Sequence, residues 1–234
     1  MSSETMRRLT VTKIGQEAEL REVPVPEPGD GQVLIQTACS GISVGTEMWI
    51  ANGRRLEGRE VPFPAAGYQA VGQVVRIGGE VTEFKPGDKV VAFCKDSHAE
   101  YTLAGASLVH AYPDGASAEA ASLFVMPCVG ANALSHADVN TGDTVLVVGQ
   151  GLVGQCTAQL ARLRGAEVVA SEISPERIEI SRKHCADRVI DASDGPLSEQ
   201  TAEDYPHGFD VVLESTGFEK LIEEAMSCVR GGGL

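Results

Sequence analysis

The sequence has no long apolar run. No window approaches the roughly 18 consecutive apolar residues that a membrane-spanning helix needs, and the polar start "MSSETMRRLTVTK" lacks the apolar stretch of a secretory leader. A cytoplasmic protein with no membrane partner is therefore expected. Basic residues are scarce: 19 Lys and Arg stand against 33 Asp and Glu, for a net charge of −14. With no Lys/Arg stripe to offset that charge, a phosphate backbone would be repelled and nucleic acid is not an expected partner. Paired cysteines are missing as well. Cys39, Cys94, Cys128, Cys156, Cys185 and Cys228 stand singly, which argues against a disulfide framework or a clustered zinc lobe and predicts mostly buried thiols. Neither an internal repeat nor a low-complexity segment is present. What remains is ordinary globular composition, 234 residues with 43% hydrophobic and 22% charged, enough for one large or two modest domains.

The hydrophobic period changes near residue 115. Before it, short alternating runs such as "RLTVTKI", "QVLIQTACSGI", "AVGQVVRIG", "KVVAFC" and "AEYTLA" are broken by Pro, Gly and Asp, the pattern of an all-β module over residues 1–115. In this stretch Tyr68 and Gln69 stand in a small, apolar turn, just before what reads as a sheet edge. After residue 115, compact apolar strands alternate with longer helical periods. "SAEAASLFVMPCVGANALSHADV" reads as one helix. "TVLVVG", "AEVVASE", "DRVIDA" and "FDVVLESTG" read as strands, with helices between them and "EKLIEEAMSCVR" last. Ser174 and Pro175 mark one helix start, and Gly165 one helix end. Strict alternation calls for a parallel sheet with right-handed crossovers over residues 116–234.

The strongest chemical signal is "VVGQGLVGQ". Gly149, Gly151 and Gly154 form G-x-G-x-x-G directly after a strand and opening a helix, the context that marks a dinucleotide site. Gly149 permits the tight turn, Gly151 lets the backbone approach a pyrophosphate, and Gly154 brings helix and strand together. Leu152 and Val153 lie between the last two glycines, where the helix N-terminus offers free N–H donors to an anion. Twenty-one residues after Gly151 stands Glu172, placed to accept hydrogen bonds from ribose hydroxyls and to repel a 2′-phosphate, which favours NAD over NADP. Arg177 either covers the adenine ribose or is a solvated surface arginine. Ser215 and Thr216 either line the cofactor crevice or cap the next helix.

Together, "REVPVPEPGDGQVLIQTACSGISVGTE", "GYQAVGQVVRIGGEVTEFKPGDKVVAF", "ADVNTGDTVLVVGQGLVGQCTAQLARLRGAEVVASE" and "FDVVLESTG" resemble the medium-chain dehydrogenase/reductase superfamily over nearly the whole chain. The resemblance implies a GroES-like β-rich catalytic domain leading into a Rossmann domain, with the active site between them. Zinc-dependent members carry Gly-His-Glu where this chain has Gly67, Tyr68 and Gln69; there the histidine is a zinc ligand and the carboxylate an alternate or outer one. The first ligand cysteine of such members falls on Ser43 or Val44. Cys128 is the candidate for a third ligand but arrives a few residues late by an ungapped count from Gly149. The lobe of structural-zinc cysteines is also missing, since "VVAFCKDSHAEYT" runs straight through. One thiol does not hold an ion that needs three or four ligands, so no zinc is expected. The chain is most similar to a zinc-lacking branch near the bacteriochlorophyllide-dehydrogenase-like members.

The resemblance then implies hydride transfer between a nicotinamide and an alcohol or carbonyl carbon of a small molecule. Thr46 matches a proton-relaying hydroxyl. Tyr68 either donates a proton to a developing oxyanion or fills the volume left by the metal. Gln69 orients a carbonyl, and Glu47 and His98 either extend the relay or are structural. Reduction of an enone or quinone, and a non-catalytic NAD-binding role, are the alternatives. Four strands are read where six are expected, and "VRGGGL" falls where the fifth should begin. The chain is thus expected to be a fragment, a prematurely terminated product or a half-molecule completed by a partner. Its fourth strand would be a bare apolar edge, and a homodimer is expected only with a full-length C-terminal segment.

Overall fold

A computed structural model describes residues 4–15, 18–54, 58–112 and 114–234. The chain divides into two compact units, Met1–Val125 and Met126–Leu234. The division falls at Val125/Met126 rather than at 115/116, because the segment after residue 115 packs with the first unit: Ala116, Ala118 and Ala121 bury against Val71 and Val91. No helix among the described residues is long and apolar enough to cross a membrane.

The first unit contains β1 (Thr5–Val11), β2 (Glu19–Pro24), β3 (Gln32–Ser40), α1 (Val44–Ala51), β4 (Phe63–Pro64), β5 (Gln69–Ile77), β6 (Lys89–Phe93), β7 (Tyr101–Gly105), β8 (Val109–Ala111) and α2 (Ala118–Ala121). A three-stranded sheet runs β2-β1-β4 and a five-stranded sheet β7-β3-β5-β6-β8, with antiparallel pairing throughout. Strand alternation explains the core. Val33 and Ile35 of β3 join Ala70, Val74, Val90 and Ala92 on one face, while Leu34 turns to the other, against Met6 and Val25. Full burial of each such side chain contributes about 1.5–3 kcal/mol. Register shifts between Thr37 and Cys39 bend the end of β3 and re-aim Ser40, as bulges do next to functional sites. The same region needs Gly72, since a Cβ there would stand 2.0 Å from the Gln36 carbonyl oxygen.

Two expectations are corrected in this unit. Gln69 does not sit before an edge; it opens β5, the central strand, paired on both sides. The stretch "SVGTEMWIA" also forms α1, a helix that buries only Ile50 among its residues and so shows no apolar stripe in its sequence.

The second unit contains α3 (Val125–His136, whose first residue closes the first unit), β9 (Thr144–Val148), α4 (Leu152–Leu163), β10 (Glu167–Glu172), α5 (Pro175–His184), β11 (Arg188–Asp191), α6 (Leu197–Thr201), β12 (Val211–Glu214) and α7 (Glu219–Ser227). The segment read as one long helix breaks into α2 and α3. Ser117 Oγ caps α2 by accepting from Ala120 N–H at 3.2 Å. Pro127 sits in the first turn of α3, where its missing N–H costs nothing, so the helix restarts just before it. The sheet is parallel, in the order β11-β10-β9-β12. Val145 and Val147 face Leu134, Ala158 and Val168; Leu146 and Val148 face Val169, Leu197 and Phe209. Both sheet faces are covered, which is why these strands read as continuous apolar runs. The outer side of β12 is not bare. Leu234 N–H donates to the Asp210 carbonyl at 3.0 Å, and Val212 N–H to the Leu234 carbonyl at 2.8 Å, a parallel register.

Candidate active site

In the second unit the strand order reverses between β9 and β12, and a crevice at the carboxyl ends of such strands is where ligands bind in doubly wound sheets. Gly149 follows β9 with φ +86°, a left-handed turn that a side chain would strain. Gly154, in the first turn of α4, presses on that turn: a Cβ there would lie 1.9 Å from the Gly149 carbonyl oxygen. Gly151 differs. A Cβ there meets no atom of the described residues within 4 Å, so packing does not demand the glycine; the space it leaves lies open beside the helix N-terminus. Leu152 is exposed and Val153 half-buried at that end.

The carboxylate of Glu172, at the end of β10, is buried and well held. Its Oε2 accepts from Gln150 N–H at 2.9 Å, and Oε1 from Ile173 N–H at 2.8 Å and Ser174 N–H at 3.1 Å. Arg177 Nη1 stands 3.7 Å away, on an otherwise exposed side chain. Burial alone would push this carboxyl group up, but the three backbone donors and Arg177 outweigh it and hold it below the ordinary glutamate range. Ser215 Oγ donates to the Val148 and Gly149 carbonyls at 2.9 and 3.0 Å. Thr216 N–H donates to Glu214 Oε1 at 2.6 Å. The structure thus gathers Gly149, Gly154, Ser215 and Thr216 at one turn and joins Glu172 to it through Gln150. Ser174 occupies the N-cap of α5, but its side chain makes no capping bond; its own backbone N–H donates to the Glu172 carboxylate. Gln150 was not singled out in the sequence. Fully buried, it donates from Nε2 to the Val147 and Gly149 carbonyls at 3.3 and 3.0 Å and accepts from Ser181 Oγ at 3.1 Å. Its only sequence signal is a polar residue at a variable position of the motif.

In the first unit, the end of β3, the start of α1, residues 67–69 and residues 94–98 meet. His98 Nε2 pairs with Glu47 Oε2 at 2.7 Å, and Nδ1 with Ser40 Oγ at 2.8 Å. Glu47 Oε1 accepts from Ser43 N–H at 2.7 Å. Thr46 and Tyr68 are half-buried, and the Tyr68 ring lies 5.8 Å from that of Phe93. Gln69 is fully buried, and its Oε1 accepts from Val125 N–H, at the start of α3, at 3.3 Å. Its Nε2 has no hydrogen-bond partner among the described residues. Ser40 was not anticipated, because a serine closing a strand carries no signal of its own.

A metal does not fit these residues. Ser43 and Val44 offer no thiolate, and the oxygen of Gln69 is committed to a backbone N–H. Burial pushes the Cys94 thiol up to about 12, with Asp96 adding to it, so it is no ready thiolate. Among the described residues no three His, Cys, Asp or Glu side chains group as a metal ligand set; Cys128 is exposed on α3. The amide of Gln69 suggests a direct test. Gln69→Glu places a carboxylate in a fully buried position, which raises its folded pKa above the unfolded value. Stability is then lost as pH rises through the ordinary range toward that raised value. Urea unfolding is expected to show a deficit of about 1–2 kcal/mol that is larger at pH 8 than at pH 5, while Gln69→Leu shows no such pH trend.

A parallel sheet with a glycine turn at its switch point and an acid ending the second strand, joined in one chain to an antiparallel β unit, defines a dinucleotide-binding oxidoreductase of two domains. Residues 29–131 match the alcohol dehydrogenase GroES-like domain, and residues 153–234 the zinc-binding dehydrogenase domain. The chain belongs to the medium-chain dehydrogenase/reductase superfamily. It is 30% identical over 243 residues to an L-threonine 3-dehydrogenase of Anaeromyxobacter dehalogenans, covering 91% of this chain and 70% of that protein. Identity to an alcohol dehydrogenase of Rhizobium meliloti is 29% over 261 residues, covering 98% and 75%. Among solved structures, an alcohol dehydrogenase superfamily protein from Novosphingobium aromaticivorans superposes with a TM-score of 0.87 at 29% identity, covering 98% of this chain and 71% of that one. Two mycobacterial structures, a quinone oxidoreductase and a complex with NADPH, are each 27% identical, with TM-scores of 0.82 and 0.87; each covers 97% of this chain and 72% of its own.

Proposed function

We propose that this oxidoreductase transfers hydride between NAD(H) and an alcohol or carbonyl carbon of a small-molecule substrate without a catalytic metal. The observation that carries the metal-free part is Gln69, buried and spending its oxygen on the backbone N–H of Val125, the last residue of the first unit, where a zinc-type relative has a carboxylate. When bound, the dinucleotide supplies or accepts the hydride at its nicotinamide ring. The chain's own residues do the rest. The open space at Gly151 and the free N–H groups of α4 receive the pyrophosphate. Glu172 accepts three backbone donors, leaving acceptor capacity for a ribose hydroxyl, and its charge disfavours a 2′-phosphate. Thr46 Oγ1 and the Tyr68 hydroxyl hold the proton that the substrate oxygen gains or loses. A second reading, reduction of a quinone or enone, is favoured by the likeness to the mycobacterial quinone oxidoreductase.

The test is a fluorescence titration of the purified chain with NADH and NADPH, with metal content measured alongside. NADH is expected to bind at least about tenfold more tightly than NADPH, a difference of about 1.4 kcal/mol, with zinc far below one per chain. A preference for NADPH, or one zinc per chain, would sink the proposal.

A further inference from the structure

Three segments, two of which carry candidate residues, converge on one imidazole. Ser40, ending β3, meets His98 Nδ1 at 2.8 Å. Glu47, next to Thr46 in the first turn of α1, meets Nε2 at 2.7 Å. Gly67, which precedes Tyr68, is the third neighbour: a Cβ there would lie 2.8 Å from His98 Nε2 and 2.4 Å from Ser97 Oγ, so this glycine is demanded by the imidazole. The His98 and Glu47 side chains are only 8% and 13% exposed. A carboxylate taken out of water to that degree is costly unless each oxygen is paired, and here both are, one with Ser43 N–H and one with His98.

We propose that His98 is the positioning residue of this half of the site. It ties the segment bearing Thr46 to the end of β3 through a hydrogen-bond chain of fixed direction, with the segment bearing Tyr68 packed against its imidazole at Gly67. The inference rests on the metal-free reading above. The direction follows from the donors available. Ser43 N–H is a backbone donor, so Glu47 Oε1 must accept. The other oxygen of the ionised carboxylate also accepts, so the imidazole hydrogen sits on Nε2 and the Ser40 hydroxyl donates to Nδ1. Glu47→Gln reverses this. Its amide oxygen must still face Ser43 N–H, which turns the NH2 group toward His98. Nε2 then becomes the acceptor, and the hydrogen moves to Nδ1, where it donates to Ser40 Oγ.

The first experiment is nitrogen NMR of histidine-labelled protein at mildly alkaline pH, with the His98 signals assigned through His98→Gln. The expected result is the Nε2–H tautomer in the wild type and the Nδ1–H tautomer in Glu47→Gln. A mixture of tautomers, or the same tautomer in both proteins, overturns the proposal, because side chains that merely pack together have no reason to switch. In His98→Ala, amide exchange at Ser43 is expected to accelerate about tenfold or more, as loss of a local tether does; unchanged exchange also overturns it. Turnover of NADH with phenanthrenequinone as the probe acceptor is expected to fall in kcat in the same variant, with NADH affinity unchanged and partial rescue by added imidazole. Failure of the wild type to bind NADH would defeat the functional reading alone, since the tautomer and exchange results do not depend on cofactor.

Discussion

Gly154→Ala is expected to lower NADH affinity at least about a hundredfold, the equivalent of about 2.7 kcal/mol, and to destabilise the second unit by about 3 kcal/mol. The added methyl would overlap the Gly149 carbonyl oxygen at 1.9 Å and approach Ser215 Oγ at 2.8 Å. Neither neighbour yields cheaply. That carbonyl already accepts from Gln150 Nε2 and Ser215 Oγ, so moving it breaks two hydrogen bonds inside the turn. Helix α4 must instead lift from β9, carrying its N-terminal donors away from the anion. Gly151→Ala supplies the contrast. Its Cβ meets nothing among the described residues and its φ of −70° suits any residue, so stability is expected to change by less than about 0.5 kcal/mol. The methyl would nevertheless occupy the space assigned to the pyrophosphate, and NADH affinity is expected to fall at least about tenfold. Thermal unfolding and NADH titration of both variants separate the cases. Normal NADH binding by Gly151→Ala would mean that the pyrophosphate does not lie there.

What could be read from the sequence follows from where each constraint is recorded. The glycine turn was legible because backbone conformation and close approach restrict a single position to a single residue type. Glu172 was legible because its distance from the turn is set by one helix and one strand. The lack of a thiolate at Ser43 and Val44, and of an imidazole or carboxylate at Tyr68 and Gln69, was equally plain, because residue identity alone records it. The network around His98 was only half visible. His98 and Glu47 were candidates, but they are 51 positions apart and His98 and Ser40 are 58. Their meeting depends on the β3–β5 register and its irregularities, which no local pattern encodes. Helix α1 was missed for a different reason. Among its residues Ile50 is buried, while Val44, Met48 and Trp49 are exposed, so the 3.6-residue stripe by which helices are recognised is absent. The place of Gln69 on a central strand likewise comes from two pairing partners far away in sequence.

Glu172→Gln is the second change with a large expected effect, and its sign with pH can be worked out. In the folded protein the Glu172 carboxyl group is held below the ordinary range by three backbone N–H donors and Arg177, against the opposing effect of burial. A depressed folded pKa contributes stability that is fully present above the unfolded value of about 4.3 and is lost as pH falls through the folded value. The wild type is therefore expected to lose stability in mild acid more steeply than Glu172→Gln, so that the gap between them narrows below about pH 4. At neutral pH the variant suffers in a specific way. A neutral amide has one oxygen, which can serve Ile173 and Ser174 or serve Gln150, but not both; the NH2 group then faces a backbone donor. Hydrogen bonds to charged groups are worth about 1.5–3 kcal/mol, so a loss of about 2 kcal/mol is expected in urea unfolding at pH 7. The lost bond to Gln150 also frees the glycine turn from the end of β10, and the ribose loses its charged acceptor. NADH affinity should fall about thirtyfold, by about 2 kcal/mol, while NADPH, no longer facing a carboxylate beside Arg177, should lose much less or gain. The ratio of the two affinities is the decisive quantity. A ratio that does not move toward NADPH would show that the Glu172 charge does not set the preference between the two nucleotides, whatever it does for stability.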